Sequence, residues 1–452
     1  MKVGFKMKKR IIPFILVLAL VLTLASVSHA RDLACCCEHT LPIPQITVGV
    51  EIDGESVEFA DQWPTIINDR TLVPVRGVFE HVGFEVNWNP TSRQATLTSE
   101  NYEVILTIGS AEFTTNGVVH MLDVPARIIN DRTMLPIRAV LESVGYYVSW
   151  DSHNRRVLVS STPMTYVTIQ GEQFSTAMTT LTLSPTSDDD ISSLAQLTNL
   201  RALRLLRMQT DDATPLDITP LSSLTNLRAL FFADSFATDL TPLEDLTNLT
   251  HLSLHVSANS DLTPISNLTN LIELDISSNG RSDIAFLSGL TNLVELRLHD
   301  NRITDIRSIS NLTNLQTLML NDNQIADLTP LANLTNLNDL RLRNNQIIDI
   351  TPLAGLTSLE SLTLIGNHIN DVTALSNLTN LGNLNLNYNR ISDVTPLVNL
   401  TQLGWLELRH NQISNLTPFQ NLSSSMGLNL TDNPIIDWSP VAHIETVLGR
   451  PE

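Results

Sequence analysis

The sequence predicts an α+β module at the N-terminus followed by an α/β solenoid, a curved stack with short strands on its concave side and short 3-10 or α helices on its convex side. Three observations carry this. In the second half a leucine series returns every 22 residues: Leu312, Leu315, Leu318 and Leu320 with Asn323, Ile325, Asp327 and Leu328, then Leu334, Leu337, Leu340, Leu342, Asn345, Ile347, Asp349 and Ile350. In the first half Ile67 to Arg76 recurs as Ile129 to Arg138, a shift of 62 residues. Around each copy of that block, strand-like stretches flank a short segment with helical apolar spacing. Repetition at a period of roughly 20 to 50 residues builds a stack in which each unit buries its apolar face on its neighbours.

At the start of the chain, Lys2, Lys6, Lys8, Lys9 and Arg10 precede an apolar run from Ile11 to about Val27, then Ser28-His29-Ala30. This spells a secretory signal over 1–30, cleaved after Ala30. A retained membrane anchor is the weaker rival, because the apolar run is marginal in length and bounded by polar residues. Residues 31–45 read as a leader or linker holding Cys35, Cys36 and Cys37, the only cysteines. Three adjacent thiols cannot staple a fold, and their odd number forbids complete internal pairing. Lipidation is an alternative, weakened by Asp32 where a lipobox wants an aliphatic residue.

The formal charge is −20. Removal of residues 1–30 leaves 22 arginines against 47 acidic residues, a balance of −25, and takes away every lysine. A lysine nucleophile, a Schiff base and a lysine isopeptide crosslink are thereby excluded from the exported form. Its net field also disfavours nucleic acid and anionic membranes.

Residues 46–160 form the duplicated module. Val73 to Val82 and Leu135 to Val144 have helical apolar spacing ended by Gly83 and Gly145. Phe84 to Trp88 and Tyr146 to Trp150 then read as strands, with Arg93 to Thr98 and Arg155 to Ser160 as hairpin partners, while Asn68-Asp69 and Asn130-Asp131 suit turns. The block Ile-Asn-Asp-Arg-Thr-Leu-Val-Pro-Val-Arg, followed by Glu80, Gly83 and Trp88 and repeated with Glu142, Gly145 and Trp150, resembles the N-terminal, stalk-like domain first recognised in copper amine oxidases. The resemblance implies no oxidase activity, since the stalk holds neither copper nor quinone and nothing downstream looks like the catalytic domain. Arg70, Arg76, Arg132 and Arg138 are expected to form duplicated salt bridges with Glu80 and Glu142 that orient helix against turn. Trp88 and Trp150 are expected in the core.

Residues 161–174 read as a linker or the start of a cap, 175–441 as the solenoid and 442–452 as a C-terminal tail. Twelve Leu-x-Leu turns run from Leu181 and Leu183 to Leu428 and Leu430, with Phe232 and Ile276 allowed at the second place. Only the step from Leu203 to Leu230 is longer, by five residues within Met208 to Asp217. The leucines point inward from short strands. The asparagines from Asn279 to Asn433 are expected to form a ladder satisfying backbone groups at the bend. Pairs such as Thr329-Pro330 and Thr351-Pro352 read as N-cap and first residue of a convex helix, with Asp305, Asp327, Asp349, Asp371 and Asp393 just ahead. Early turns depart from the pattern: Ser235 and Ser257 replace the asparagine, and Ala237, Asn259 and Arg281 the isoleucine, which reads as drift near the cap in positions that support the turn, with a locally altered surface as the alternative.

The motif Leu-x-x-Leu-x-x-Leu-x-Leu-x-x-Asn-x-Ile-x-Asp-Leu-Thr-Pro-Leu resembles the leucine-rich repeat of bacterial internalins. That resemblance implies binding of a protein by the concave face. Residues 442–452 hold no Leu-Pro-x-Thr-Gly motif, which predicts release or loose retention at the envelope.

Recognition is sought at the outward strand positions. His251 is expected beside Glu273 and Glu295, Asp275 beside Arg297, and His255 near His299. Arg341 and Arg343 form a second group, and Trp405 with Arg409 a third, since Trp and Arg anchor many interfaces. Metal binding among the histidines is a minor alternative, because open strand faces hold side chains apart; no cofactor is expected. The function predicted is noncatalytic recognition of an unknown extracellular or envelope protein. A structural role in which 46–160 touches cell-wall polymer is the alternative, and a hydrolase is weaker, since no nucleophile, metal quartet or phosphate loop emerges.

Overall fold

The computed structural model describes residues 48–451 except 68–69, 153, 207–216 and 234–238. The expected signal and leader, the three cysteines, the Asn68-Asp69 turn, most of the irregular step, Ser235 and Ala237 lie outside the described residues. Among those described, no helix is long and apolar enough to cross a membrane.

Each copy of the module starts with a hairpin, Thr65–Ile67 with Arg70–Pro74 and Arg127–Ile129 with Arg132–Pro136. The second bends through Asn130 and Asp131 at φ 47° and 60°, left-handed values that short polar side chains tolerate. The inner strands pair antiparallel with Val73 opposite Leu135, Leu72 opposite Pro136 and Pro74 opposite Met134. Val73 and Leu135 are one position in two copies, so the duplication closes as a two-fold in which each copy completes the other's sheet. Ion pairs repeat the symmetry: Arg70 Nε meets Asp123 Oδ2 at 2.8 Å, and Arg132 meets Asp61, its counterpart. The expected bridges between helix and turn are therefore corrected. Arg70 and Arg132 link the copies, while Arg76–Glu80 and Arg138–Glu142 lie one helical turn apart on exposed helix surfaces.

Helices α1 (Val75–His81) and α2 (Ile137–Ser143) begin two residues later than the apolar pattern suggests, because the preceding prolines belong to the central strands. Both give way to a left-handed glycine, Gly83 at φ 88° and Gly145 at φ 91°. Beyond α1, Glu85–Asn89 and Gln94–Thr98 extend into a five-stranded antiparallel sheet ending at Val118–Met121. Beyond α2, Tyr147–Asp151 and Arg156–Ser160 are instead joined by Gly49–Ile52, which runs parallel to Arg156–Ser160. Phe79, Leu97, Leu106, Leu135 and Leu141 are fully buried between these layers. Trp88 and Trp150 are not core residues: they are 40% and 38% exposed, because Glu85–Asn89 and Tyr147–Asp151 are edge strands.

The module runs into the solenoid through a built joint. Hairpin Tyr166–Ile169/Glu172–Ser175 caps the first turn, and Leu158 of the module is buried in the solenoid's own apolar core. Glu51, 2% exposed, accepts from Arg156 and from Thr179 Oγ1, each at 2.7 Å. Asn154 Nδ2 donates to Thr180 O at 3.0 Å, and Arg201 pairs with Glu55 at 2.9 Å. A buried carboxylate is tolerated only with such partners.

Among the described residues thirteen parallel strands follow in chain order, from Thr180–Leu183 to Thr446–Leu448. Twelve match the Leu-x-Leu turns. The thirteenth lies in the segment read as a tail, with Val447 opposite Leu428, where one valine replaces the leucine pair and leaves no countable pattern. Leu334, Leu337, Leu340 and Leu342 are wholly buried, as are their counterparts in neighbouring turns. Each such side chain contributes about 1.5–3 kcal/mol by leaving water.

Polar rows hold the turns in register. Asn345 Nδ2 donates to Leu320 O, Leu342 O and Arg343 O at 2.9–3.2 Å, and its Oδ1 accepts from Ile325 N at 3.0 Å. The asparagine ladder thus runs through backbone groups of adjacent turns rather than from amide to amide. A second row, to which the repeat pattern assigns no role, includes Asn336, whose Nδ2 donates to Thr313 O at 2.8 Å. On the convex side the carboxylate is the cap: Asp327 Oδ1 accepts from Thr329 N, and Asp349 from Thr351 N, both at 2.8 Å. The expected threonine N-cap is corrected, because Thr329 opens the 3-10 helix Thr329–Leu331 and its own N–H is the orphan donor. Among the described residues of the solenoid, only the first turn carries an α-helix, α3 (Asp188–Leu194), capped by Ser187. Arg281, at an isoleucine position, is 8% exposed and reaches back to donate to Ser260 O at 2.8 Å.

Candidate protein-binding face

The outward rows have the expected register. His251 lies opposite Glu273, which lies opposite Glu295; Ser253, Asp275 and Arg297 form the next row, continued by Met319 and Arg341. At the early turns these side chains are engaged with one another. Arg297 binds Glu273 through Nη1 and Glu295 through Nη2. Burial pushes the Glu295 carboxyl up and Arg297 opposes it; burial also works against the Arg297 charge, but the two glutamates more than offset it and hold the guanidinium up.

His251 is 5% exposed, its Nδ1 2.9 Å from Thr250 Oγ1, and burial pushes its pKa down against the pull of Glu273. It is an interior side chain rather than an open contact. Asp275 caps the local bend by accepting from Ser277 N, and His299 faces Asp300 at 3.1 Å. His255 is half-buried in the following row. Among the described residues no group of three or more His, Cys, Asp or Glu is placed to hold a metal ion.

In the middle of the stack Arg341 is exposed and paired with Asp339 at 2.9 Å, and Arg343 is exposed one row on. Toward the C-terminal end a larger constellation forms. The Trp405 indole lies flat over Gly427, where any side chain would collide with it, and donates from Nε1 to Glu407 Oε1 at 2.5 Å. The indole is therefore half-buried and leans toward Gly427 rather than toward Asn383, its register partner on the other side. Glu407 Oε2 accepts from Asn387 Nδ2 at 3.0 Å and Asn429 Nδ2 at 2.7 Å. Asn387 Oδ1 accepts from Arg409 N at 2.6 Å. The Arg409 guanidinium stands 5.7 Å from the Tyr388 ring centre, and that ring stacks on His410 at 4.4 Å. Asp432 closes the group, 3.2 Å from Arg409 Nε and 2.9 Å from His410 Nε2.

Tyr388, His410, Glu407 and Asp432 were not singled out by repeat spacing, yet a signal exists. One position in each of these turns is left-handed: Ser278, Asp300, Asp322, Asn344, Gly366, Tyr388, His410 and Asp432 all have φ between 52° and 68°. Asn, Asp and Gly, with His, populate that region readily, whereas a bulky aromatic is an outlier. Tyr388, 47% exposed, is the bulkiest side chain of the row, and backbone conformation disfavours it there.

Comparison with known proteins separates the two halves. The family model for the copper amine oxidase N-terminal domain matches residues 51–159, and that for leucine-rich repeats matches 291–333 and 335–380. Among solved structures, an internalin from Listeria monocytogenes, InlF, is 33% identical, covers 62% of this chain and 91% of its own, and superposes with a TM-score of 0.52. Internalin C2 of the same organism is 35% identical over 42% of this chain and 85% of its own, at a TM-score of 0.39. A leucine-rich-repeat protein of Leptospira interrogans is 26% identical over 54% and 70%, at 0.48. No curated protein matches.

Proposed function

The chain belongs to the internalin-like leucine-rich-repeat proteins, with a copper amine oxidase N-terminal domain ahead of its repeats, and from that premise we propose that it is a noncatalytic recognition protein that binds a protein partner through its concave face. The contact is centred on Tyr388, Trp405, Arg409 and His410. The observation that carries this is the left-handed Tyr388, an exposed aromatic placed where the fold favours Asn, Asp or Gly. A strained residue of this kind costs about 1–3 kcal/mol and persists where another role compensates. Aromatic and arginine side chains supported by their neighbours are the usual interface anchors. Of the initial candidates, Trp405 and Arg409 belong to this patch. Arg341 and Arg343 extend it, while His251, Glu273, Glu295 and Arg297 act chiefly on one another.

The basic and apolar N-terminal segment supports export. The recurrent Asp and Asn rows, which in isolation look like catalytic groups, cap turns and satisfy backbone. The test uses the full chain and its Tyr388→Asn variant as parallel baits against extracellular and envelope extracts, followed by affinity measurement on any protein retained by the first. Tyr388→Asn should weaken that affinity about tenfold or more while its melting temperature stays level or rises. Equal affinity for the two baits removes the patch from the interface.

A further inference from the structure

We propose that the second copy of the N-terminal module carries a cleft for a neutral oligosaccharide, built by Tyr147 and Tyr166. The cleft has a volume of about 360 Å³, at the small end of ligand sites, and is lined by Glu142, Tyr146, Tyr147, Val148, Met164 and Tyr166. Tyr147 and Tyr166 are 43% and 51% exposed, so both aromatic side chains remain accessible to solvent. The Tyr166 hydroxyl donates to Ser149 Oγ at 3.2 Å, which ties the solenoid's capping hairpin to the module's edge strand and fixes the ring.

The duplication supplies an internal control. Positions 142, 146, 147 and 148 correspond to Glu80, Phe84, Glu85 and Val86 in the first copy. The carboxylate, an aromatic (buried as Phe84, half-buried as Tyr146) and the valine recur, whereas Tyr147 stands where the first copy has Glu85. The same strand and helix therefore form without a tyrosine there. Tyr166 likewise stands where the first copy has Val104, wholly buried in Glu103–Thr107 of the five-stranded sheet. This cleft thus lies where module and solenoid meet, and two exposed tyrosines at that seam are not required by the repeat.

The lining has the chemistry of sugar recognition. A pyranose presents a flat C–H face that packs on an aromatic ring and a rim of hydroxyls that needs donors and acceptors. Tyrosine offers both ring and hydroxyl. Glu142 supplies an acceptor at the edge, and Arg138, 3.9 Å from it, balances its charge, which favours a neutral chain over an anionic or cationic one. The open, shallow shape suits a polymer that passes across the surface. This cleft shares no residue with the concave patch, so either reading can fail alone.

Isothermal titration of the full chain with chitotetraose, cellotetraose and maltotetraose should give saturable heat with at least one. Tyr147→Glu, which installs the first copy's residue, and Tyr166→Ala should each weaken binding about tenfold, the order of one lost aromatic contact, while Tyr166→Phe holds it within about twofold. Should Tyr166→Ala fail to fold, Tyr147→Glu decides alone. Absence of heat with all three sugars, or wild-type affinity in Tyr147→Glu, overturns the proposal.

Discussion

Both halves of this molecule are built by repetition, but the module repeats once and closes on itself, whereas the solenoid repeats many times and touches only its neighbours. In the module, Val73 pairs with Leu135 and Arg132 reaches Asp61, so neither copy has a complete sheet alone. In the solenoid, each strand pairs only with the preceding and following turn. Closed repetition couples distant parts of the sequence, and open repetition distributes stability along the stack.

The largest test of that contrast is a pair of core truncations. Phe79→Ala should cost about 3–5 kcal/mol and Leu340→Ala about 2–5 kcal/mol. Their reach should differ. Hydrogen exchange is expected to show protection lost across both module copies in the first variant, but only around the strands Thr317–Met319 to Ser361–Thr363 in the second. Loss confined to residues 65–98 in Phe79→Ala would break the comparison.

A smaller effect separates the two amide rows. Asn345→Ala orphans the buried Ile325 N–H and strips one of two donors from Leu320 O, Leu342 O and Arg343 O, and should cost about 1–3 kcal/mol, whereas Asn336→Ala removes one exposed bond, at about 0.5–1.5 kcal/mol. Urea melts of the two variants rank them, and a reversed order would show that the exposed row carries the register.

The mildest probe is acid. Asp327, Asp349, Asp371 and Asp393 are held below the ordinary carboxylate value by hydrogen bonds from the threonines they cap, and Asp305 is held at about 2 by Arg307. A depressed folded value means that these caps stabilise fully above the unfolded value of 3.8 and cease to do so as pH falls through the folded value. Of the module's described carboxylates, Asp61 is shifted in the same direction by Arg132. Between about pH 4 and about pH 2 the solenoid should therefore loosen before the module. Pepsin digestion at stepped pH reads this directly: first cuts within 217–437 agree, and first cuts within 48–160 do not.

Leucine, asparagine and aspartate rows are legible from spacing because a translational repeat applies one local rule many times. A two-residue alternation faces side chains inward, and a fixed interval superposes equivalent groups. Spacing was silent where the outcome depends on a long-range partner. Trp88 and Trp150 looked apolar enough for the core but fall on edge strands, and sheet order is not a local property. His251 looked like an outward residue of an open sheet but is covered, since the burial of a strand's outer face depends on the lengths and tilts of its neighbours. The thirteenth strand needed only Val447, one apolar residue, because Leu428 already presented a pairing edge.

By itself the sequence determined the two repeat lengths, the inward side chains, the turn caps and the family resemblance, because each rests on residue types at short fixed intervals. The tertiary structure decided that the module's copies interlock, that the joint to the solenoid is buried, and which outward side chains neutralise one another. Those outcomes depend on distances between residues far apart in the chain. Glu273, Glu295 and Arg297 satisfy their own charges, whereas Tyr388 holds an aromatic face outward in a backbone conformation that tyrosine disfavours.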